Sequence, residues 1–243
     1  MLAAESEQGR RTPYGDRPDQ FLEWFGDPRT ARTVVILIHG GYFRERTTLA
    51  HARPMAHALV ARGAQADRDA AVALLEYRRT GGEGGHPRTL EDVEAAIAHV
   101  VELVGDVRLV VSGHSAGGSL ALSWASRQAE SGPEVRVRPL APVTDLVVEA
   151  RDGLGDGAVA DYMGAAPAAD PSRYLAEDPR SRAALIPQRF DVQLVHGTED
   201  GTVDIAFSRG FPAARLELEG ADHFDVVDPD SAHFEAVVEA LLG

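Results

Sequence analysis

A serine, an acid and a histidine stand after three separate apolar runs of this chain, and together those types can attack a carbonyl group. Ser115 is the centre of Gly113-His114-Ser115-Ala116-Gly117-Gly118. Asp200 closes His196-Gly197-Thr198-Glu199-Asp200, and His223 lies in Gly220-Ala221-Asp222-His223-Phe224. A serine hydroxyl is a poor nucleophile until a base takes its proton. Imidazole can do so near neutral pH because its unperturbed pKa is ~6.5. A carboxylate orients the ring and stabilises the imidazolium. Glycines two before and two after the serine remove the Cβ atoms that would crowd a sharp strand-to-helix turn. Glu199, Asp204 and Asp145 compete with Asp200, which is favoured by its distance past the strand end. Asp222 is expected in solvent, and His114 packed beneath the serine turn.

A second loop matters as much. Thr33–Ile38 runs directly into His39-Gly40-Gly41-Tyr42-Phe43-Arg44. Two glycines after a buried strand let a backbone N–H turn inward and join that of Ala116 around a developing oxyanion. One such donor is typically worth ~2.7–4 kcal/mol of barrier.

These loops need strands to hold them. The uninterrupted apolarity of Thr33–Ile38, of residues 70–77 and of 107–111 predicts strands covered on both faces, as in a parallel sheet. Residues 21–25, 135–142, 191–196 and 215–218 complete the set, and residues 1–15 are expected to be polar and frayed except around Tyr14. Alternating Arg136 and Arg138 suggest that their strand lies nearer the sheet edge. Helices are predicted over residues 49–63, over a stretch capped by Thr89 with Val93, Ile97, Val100 and Val101 inward and ending at Gly105, over 119–125, and over 232–242. The alternation of strand and helix predicts an α/β fold: a mostly parallel twisted sheet with helices on both faces. Residues 145–187, rich in Gly, Ala, Asp and Pro, break that rhythm. They read as a short lid insertion within a single domain spanning 1–243, contributing Tyr162 and Met163 to a pocket.

Composition excludes several classes. No cysteine is present among the 243 residues, which removes disulfides and thiol catalysis. Lysine is absent too, so no Schiff base can form. A net charge of −14 argues against nucleic acid and anionic membranes as partners. No signal-peptide core or apolar run of ~18–20 residues is present, so a cytoplasmic protein is the default. His196, Asp200 and His223 could be drawn as metal ligands, but no HExxH or His-x-His cluster accompanies them. Neither a metal nor a cofactor is expected.

From about Tyr14 to the C-terminus the chain resembles the α/β-hydrolase superfamily, and within it the arylformamidase (kynurenine formamidase)-like and related small-esterase branch. The resemblance rests on Tyr14-Gly15 with Gln20-Phe21, the residue 39–44 loop, Glu76-Tyr77-Arg78-Arg79, the residue 113–118 turn, Ala141-Pro142-Val143-Thr144-Asp145-Leu146, His196-Gly197-Thr198-Glu199-Asp200, and Asp222-His223-Phe224-Asp225. It implies a cofactor-independent serine hydrolase with a Ser115–His223–Asp200 triad, cleaving small carboxylic esters or N-formyl amides of arylamines. It also implies oxyanion N–H groups from Gly41, Tyr42 and Ala116. Tyr42, Phe43, Tyr162, Met163 and Phe224 are the expected substrate contacts. The chain departs from the branch at Phe43, where formamidases often carry Trp, at Val203-Asp204, where Val-Pro is usual, and in the short stretch before Arg215. Acyl transfer, cyclisation or elimination at the same site, and a non-catalytic ligand-binding member of the fold, are the alternatives. The partner is a small-molecule substrate, and a homodimer is left open.

Overall fold

In the computed structural model, which describes residues 8–243, the apolar runs become the middle of one sheet. The chain runs through β1 (Arg10–Pro13), β2 (Phe21–Phe25), β3 (Thr33–Ile38), α1 (Arg53–Gln65), β4 (Ala70–Leu75), α2 (Arg88–Val104), β5 (Arg108–His114) and α3 (Ala116–Ala125). It continues with β6 (Val135–Leu140), α4 (Leu146–Asp152), α5 (Leu154–Met163), α6 (Pro171–Leu175), α7 (Pro179–Arg182), β7 (Phe190–Gly197), α8 (Ile205–Gly210), β8 (Ala214–Leu218) and α9 (Phe234–Leu242). The strand order is β1-β2-β4-β3-β5-β6-β7-β8. Strands β3 to β8 pair in parallel, and β1 and β2 are antiparallel.

Alternation along β3 divides the core. Val34, Ile36 and Ile38 face one apolar cluster, with Val93, Ile97 and Val100 of α2 and Leu120 and Trp124 of α3. Val35 and Leu37 face the other, with Met55 and Leu59 of α1 and Phe234, Val237 and Leu241 of α9. Two covered faces explain why these strands read as continuous apolar runs. Because β3, β5, β7 and β8 are parallel, the loops that follow them open on the same edge of the sheet. Among the described residues no helix is long and apolar enough to cross a membrane.

Four expectations are corrected. Of the stretch expected to be frayed, residues 1–7 lie outside the described residues, and Arg10–Pro13 is an edge strand: Arg11 lies over the Phe21 ring at 4.4 Å, and Gly9 N–H donates to the buried Glu23 carboxylate. Thr89 does not cap α2. Its N–H donates to the Gly85 carbonyl, while its hydroxyl accepts from Gly85 N–H and donates to Arg78 C=O at 2.6 Å. Strand β6 is interior, between β5 and β7. Its arginines reach the C-terminal end of α9, where helix carbonyls without intrahelical partners accept cations. Arg138 donates to the Ala240 carbonyl and pairs with Asp191, and Arg136 donates to the Gly243 carbonyl. The first long helix, expected over 49–63, opens with a 3-10 turn at Leu49–Ala52 and runs on to Gln65.

The stretch between β6 and β7 is helical, from α4 to α7, and packs inward. Tyr162 and Tyr174 are each 1% exposed and Met163 is fully buried. At the start of α5, Gly155, Asp156 and Gly157 form a left-handed turn.

Candidate active site

Strand β5 and helix α3 meet at Ser115, whose backbone takes φ 55° and ψ −118°. A non-glycine residue so placed stores strain on the order of 1–3 kcal/mol, held only where surrounding contacts over-determine it. Here they do: Ser115 N–H donates to Leu140 C=O at 2.8 Å, and Ser119 N–H donates to Ser115 C=O at 3.1 Å. The flanking glycines are required by close approach. A Cβ on Gly113 would lie 2.3 Å from the Gly117 carbonyl oxygen, and one on Gly117 would lie 2.2 Å from the Ile38 carbonyl oxygen.

Asp200 follows β7 and is organised by four donors. Its Oδ1 accepts from the N–H groups of Thr202 and Val203, both at 2.8 Å. Its Oδ2 accepts from His223 Nδ1 at 2.6 Å and from His196 Nε2 at 3.0 Å. Burial alone would raise the carboxyl pKa. The hydrogen bonds from His196, His223 and Val203 outweigh it and hold Asp200 well below the usual carboxylate range. The competing acids are engaged elsewhere or exposed: Asp145 caps α4, Asp204 caps α8, and Glu199 faces solvent. Exposed Asp222 accepts from Phe224 and Asp225 N–H in a tight turn.

With Nδ1 committed to Asp200, Nε2 is the remaining exchangeable position on the His223 ring. Ser115 and His223 line one cavity of about 310 Å³. His114 is not a second base. Burial, and then the neighbouring His223, lower its pKa to about 3. Neutral, it donates from Nε2 to the His223 carbonyl at 2.9 Å and so fixes the backbone that carries the other imidazole.

The loop after β3 closes the other side. Gly41, Tyr42 and Phe43 have φ of 112°, 57° and 59°, turning consecutive peptides over. Among the described residues nothing accepts from the N–H groups of Gly41, Tyr42 or Ala116. Ala116 is the first residue of α3, where N–H groups lack intrahelical partners and the helix dipole favours negative charge. The loop is braced from two directions. His39 stacks on Tyr77 at 4.4 Å and meets Glu76 at 2.9 Å. Arg44 donates to the Asp156 carbonyl at 2.9 Å and pairs with Asp161, both in α5.

Of the residues read from sequence, Gly41, Tyr42, Ser115, His223 and Phe224 line the cavity, as does His114, which was expected beneath the turn, and Asp200 stands behind His223. Phe43, Tyr162 and Met163 do not. The Phe43 and Tyr162 rings stack at 4.1 Å in the interior, the Tyr162 hydroxyl meets Glu177, and Met163 is buried in the core. Arg46, Thr47, His51 and Thr202 line the cavity without having been foreseen. So did the second histidine on Asp200 escape notice as a hydrogen-bond donor. His196 also contacts Ser208 through Nδ1 at 2.7 Å. The signal was its place four residues before the acid at the end of a buried strand. Among the described residues no group of three or more His, Cys, Asp or Glu could hold a metal ion.

The BD-FAE family model matches residues 27–214, most of the chain. The chain belongs to the BD-FAE family. No curated protein matches it in sequence. Solved structures share the fold of this BD-FAE member at low identity. Esterase B from Lactobacillus rhamnosis, solved with a tributyrin phosphonate, is 16% identical with a TM-score of 0.74, covering 100% of this chain and 85% of that one. An esterase/lipase from an uncultured bacterium is 20% identical with a TM-score of 0.72, covering 99% and 84%. Carboxyl esterase 2 from the mycorrhizal fungus Tuber melanosporum is 17% identical with a TM-score of 0.70, covering 98% and 84%. The architecture is the α/β-hydrolase fold.

Proposed function

We propose that this BD-FAE member is a serine hydrolase of carboxylesterase type, cleaving an ester or an N-formyl amide of a small substrate through an acyl-enzyme on Ser115. The observation that carries the reading is the 2.6 Å contact between Asp200 and His223 Nδ1, with His223 and Ser115 on the wall of one cavity. The names of the esterases that share the fold support the same class.

In this reading His223 Nε2 takes the Ser115 proton as Oγ adds to the substrate carbonyl. The carbonyl π pair moves to oxygen. That oxyanion accepts from Ala116 N–H and from Gly41 and Tyr42 N–H, donors without an acceptor among the described residues. The depressed pKa of Asp200 keeps it anionic opposite the imidazolium. As the tetrahedral species collapses, His223 gives the proton to the leaving oxygen or nitrogen, and that bond breaks. Water then adds to the acyl-enzyme with His223 again as base, releasing the acid and restoring Ser115. Tyr42 and the exposed Phe224 ring, both on the cavity wall, offer an aromatic or alkyl group an apolar surface.

The cavity of about 310 Å³ favours short acyl chains. Rates on p-nitrophenyl esters of increasing chain length, set beside N-formylkynurenine, test the reading. Acetate and butyrate esters are expected to be cleaved, longer chains more slowly, with activity lost in Ser115→Ala. Equal activity of wild type and Ser115→Ala would overturn it. Faster turnover of the formamide than of any ester would place the enzyme with the formamidases.

A further inference from the structure

The cavity wall is electrostatically at odds with the rest of the molecule. The chain carries 38 acidic against 24 basic residues, yet among the described residues no carboxylate lines the cavity that holds Ser115. Among the described residues the one formally charged side chain on that wall is Arg46. Among the described residues Arg46 has no acidic partner, although Arg44, two positions earlier, is held by Asp161 and the Asp156 carbonyl. Thr47 and His51 line the same wall. The His51 ring donates from Nδ1 to the Thr48 carbonyl at 2.6 Å, which leaves Nε2 to deal with a ligand. His51 adds a polar group to that wall.

We propose that Arg46 selects substrates bearing a carboxylate, on either the acyl or the leaving group, and that this site hydrolyses anionic esters or amides in preference to neutral ones. The inference rests on the hydrolase reading of the same cavity. Its chemistry is that of a guanidinium facing a carboxylate. Two parallel N–H donors match two carboxylate oxygens, and the pair gains strength as the substrate covers the cavity and excludes water. The acidic surface as a whole slows the approach of an anion, so the selectivity is expected in bound complexes more than in encounter. Because Arg46 is exposed without substrate, its contribution is that of a partly solvated pair, roughly tenfold in kcat/KM.

The test uses two matched pairs. Para-acetoxybenzoate against para-acetoxybenzamide places the charge on the leaving group. Mono-p-nitrophenyl adipate against p-nitrophenyl hexanoate places it on the acyl group. In the wild type one pair or both should favour the anion, and rising salt should reduce that preference. In Arg46→Gln the anionic-to-neutral ratio of kcat/KM should fall roughly tenfold. A ratio equal in wild type and Arg46→Gln for both pairs overturns the inference, and leaves the hydrolase reading standing if Ser115-dependent cleavage persists. If neither ester of either pair is cleaved, the hydrolase reading fails first. Calorimetric binding of para-acetoxybenzoate to Ser115→Ala then still decides about Arg46. Weaker binding after Arg46→Gln supports the anion site, and unchanged binding overturns it.

Discussion

Gly155 allows the Tyr42 loop to be disturbed from a helix that contributes nothing to the cavity wall. A Cβ at position 155 would stand 2.2 Å from Tyr42 Cδ1 and 2.4 Å from Cε1. Carbon–carbon contact is comfortable at about 3.5–4.0 Å, so ring or turn must move by roughly 1–1.5 Å. Tyr42 is stiffly held at φ 57° between two other left-handed residues, and its N–H is one of the donors assigned to the oxyanion. A displacement of about 1 Å in positioning groups costs on the order of 10²-fold in rate. Gly157 provides the control. Its φ of 77° matches the 59° of Gly155 in sign, but a Cβ there meets nothing within 4 Å among the described residues. Alanine at either site incurs the same left-handed penalty, about 1–2 kcal/mol, which for a chain of this size lowers Tm by about 2–8 °C. Gly155→Ala is therefore expected to lose about 10–100-fold in kcat/KM on a p-nitrophenyl ester, while Gly157→Ala keeps near wild-type activity with a similar Tm. Equal loss in both variants, or none in Gly155→Ala, would refute the claim that α5 sets the position of the oxyanion loop.

Two further substitutions probe charge. Asp200→Asn removes the anion facing His223 while keeping the shape, and kcat is expected to fall by about 10³–10⁴-fold with KM little changed; a loss below about tenfold would mean that another acid serves His223. In the wild type the depressed Asp200 pKa contributes stability that is present above the unfolded carboxylate value and lost as pH falls through the folded one, so Asp200→Asn should flatten the acid limb of the stability profile. Glu149 has the opposite sign. It is 1% exposed, its Oε1 has no hydrogen-bond partner among the described residues, and burial, followed by Asp152, Asp145 and Asp200, raises its pKa from 4.5 to about 8. Its protonated form is favoured in the fold, so that stability is present below pH 4.5 and lost as pH rises through about 8. Glu149→Gln should gain stability relative to wild type between those limits, by on the order of a few kcal/mol in urea titrations; parallel pH profiles would contradict this.

What was legible in the sequence was local. Gly113 and Gly117 around Ser115, between a β-branched run and a helix, announce the strained turn because the steric demand lies within five residues. Continuous apolarity marked β3, β4 and β5 because both faces of those strands are covered. What was not legible depends on partners far along the chain. Arg136 and Arg138 looked like edge residues because the carbonyls at the C-terminal end of α9 and of Gly243 that accept from them lie some hundred residues later. Arg10–Pro13 looked frayed because its charge is balanced only once Glu23 is buried between Arg11 and Arg53. Tyr162 and Met163 read as pocket residues because an apolar pair in a Gly-rich insertion does not reveal which way it faces. Phe43 and the sheet core claimed them instead.

The central claim is that Ser115 is the nucleophile activated by His223. Intact-mass and peptide mass spectrometry after exposure to a p-nitrophenyl alkylphosphonate test it most directly. One phosphonyl group per chain is expected, on the peptide containing Ser115, with labelling at least about 10²-fold slower in His223→Gln because the proton then has no acceptor. No adduct on the folded wild-type protein, an adduct on another residue, or equal rates in the two proteins would contradict it.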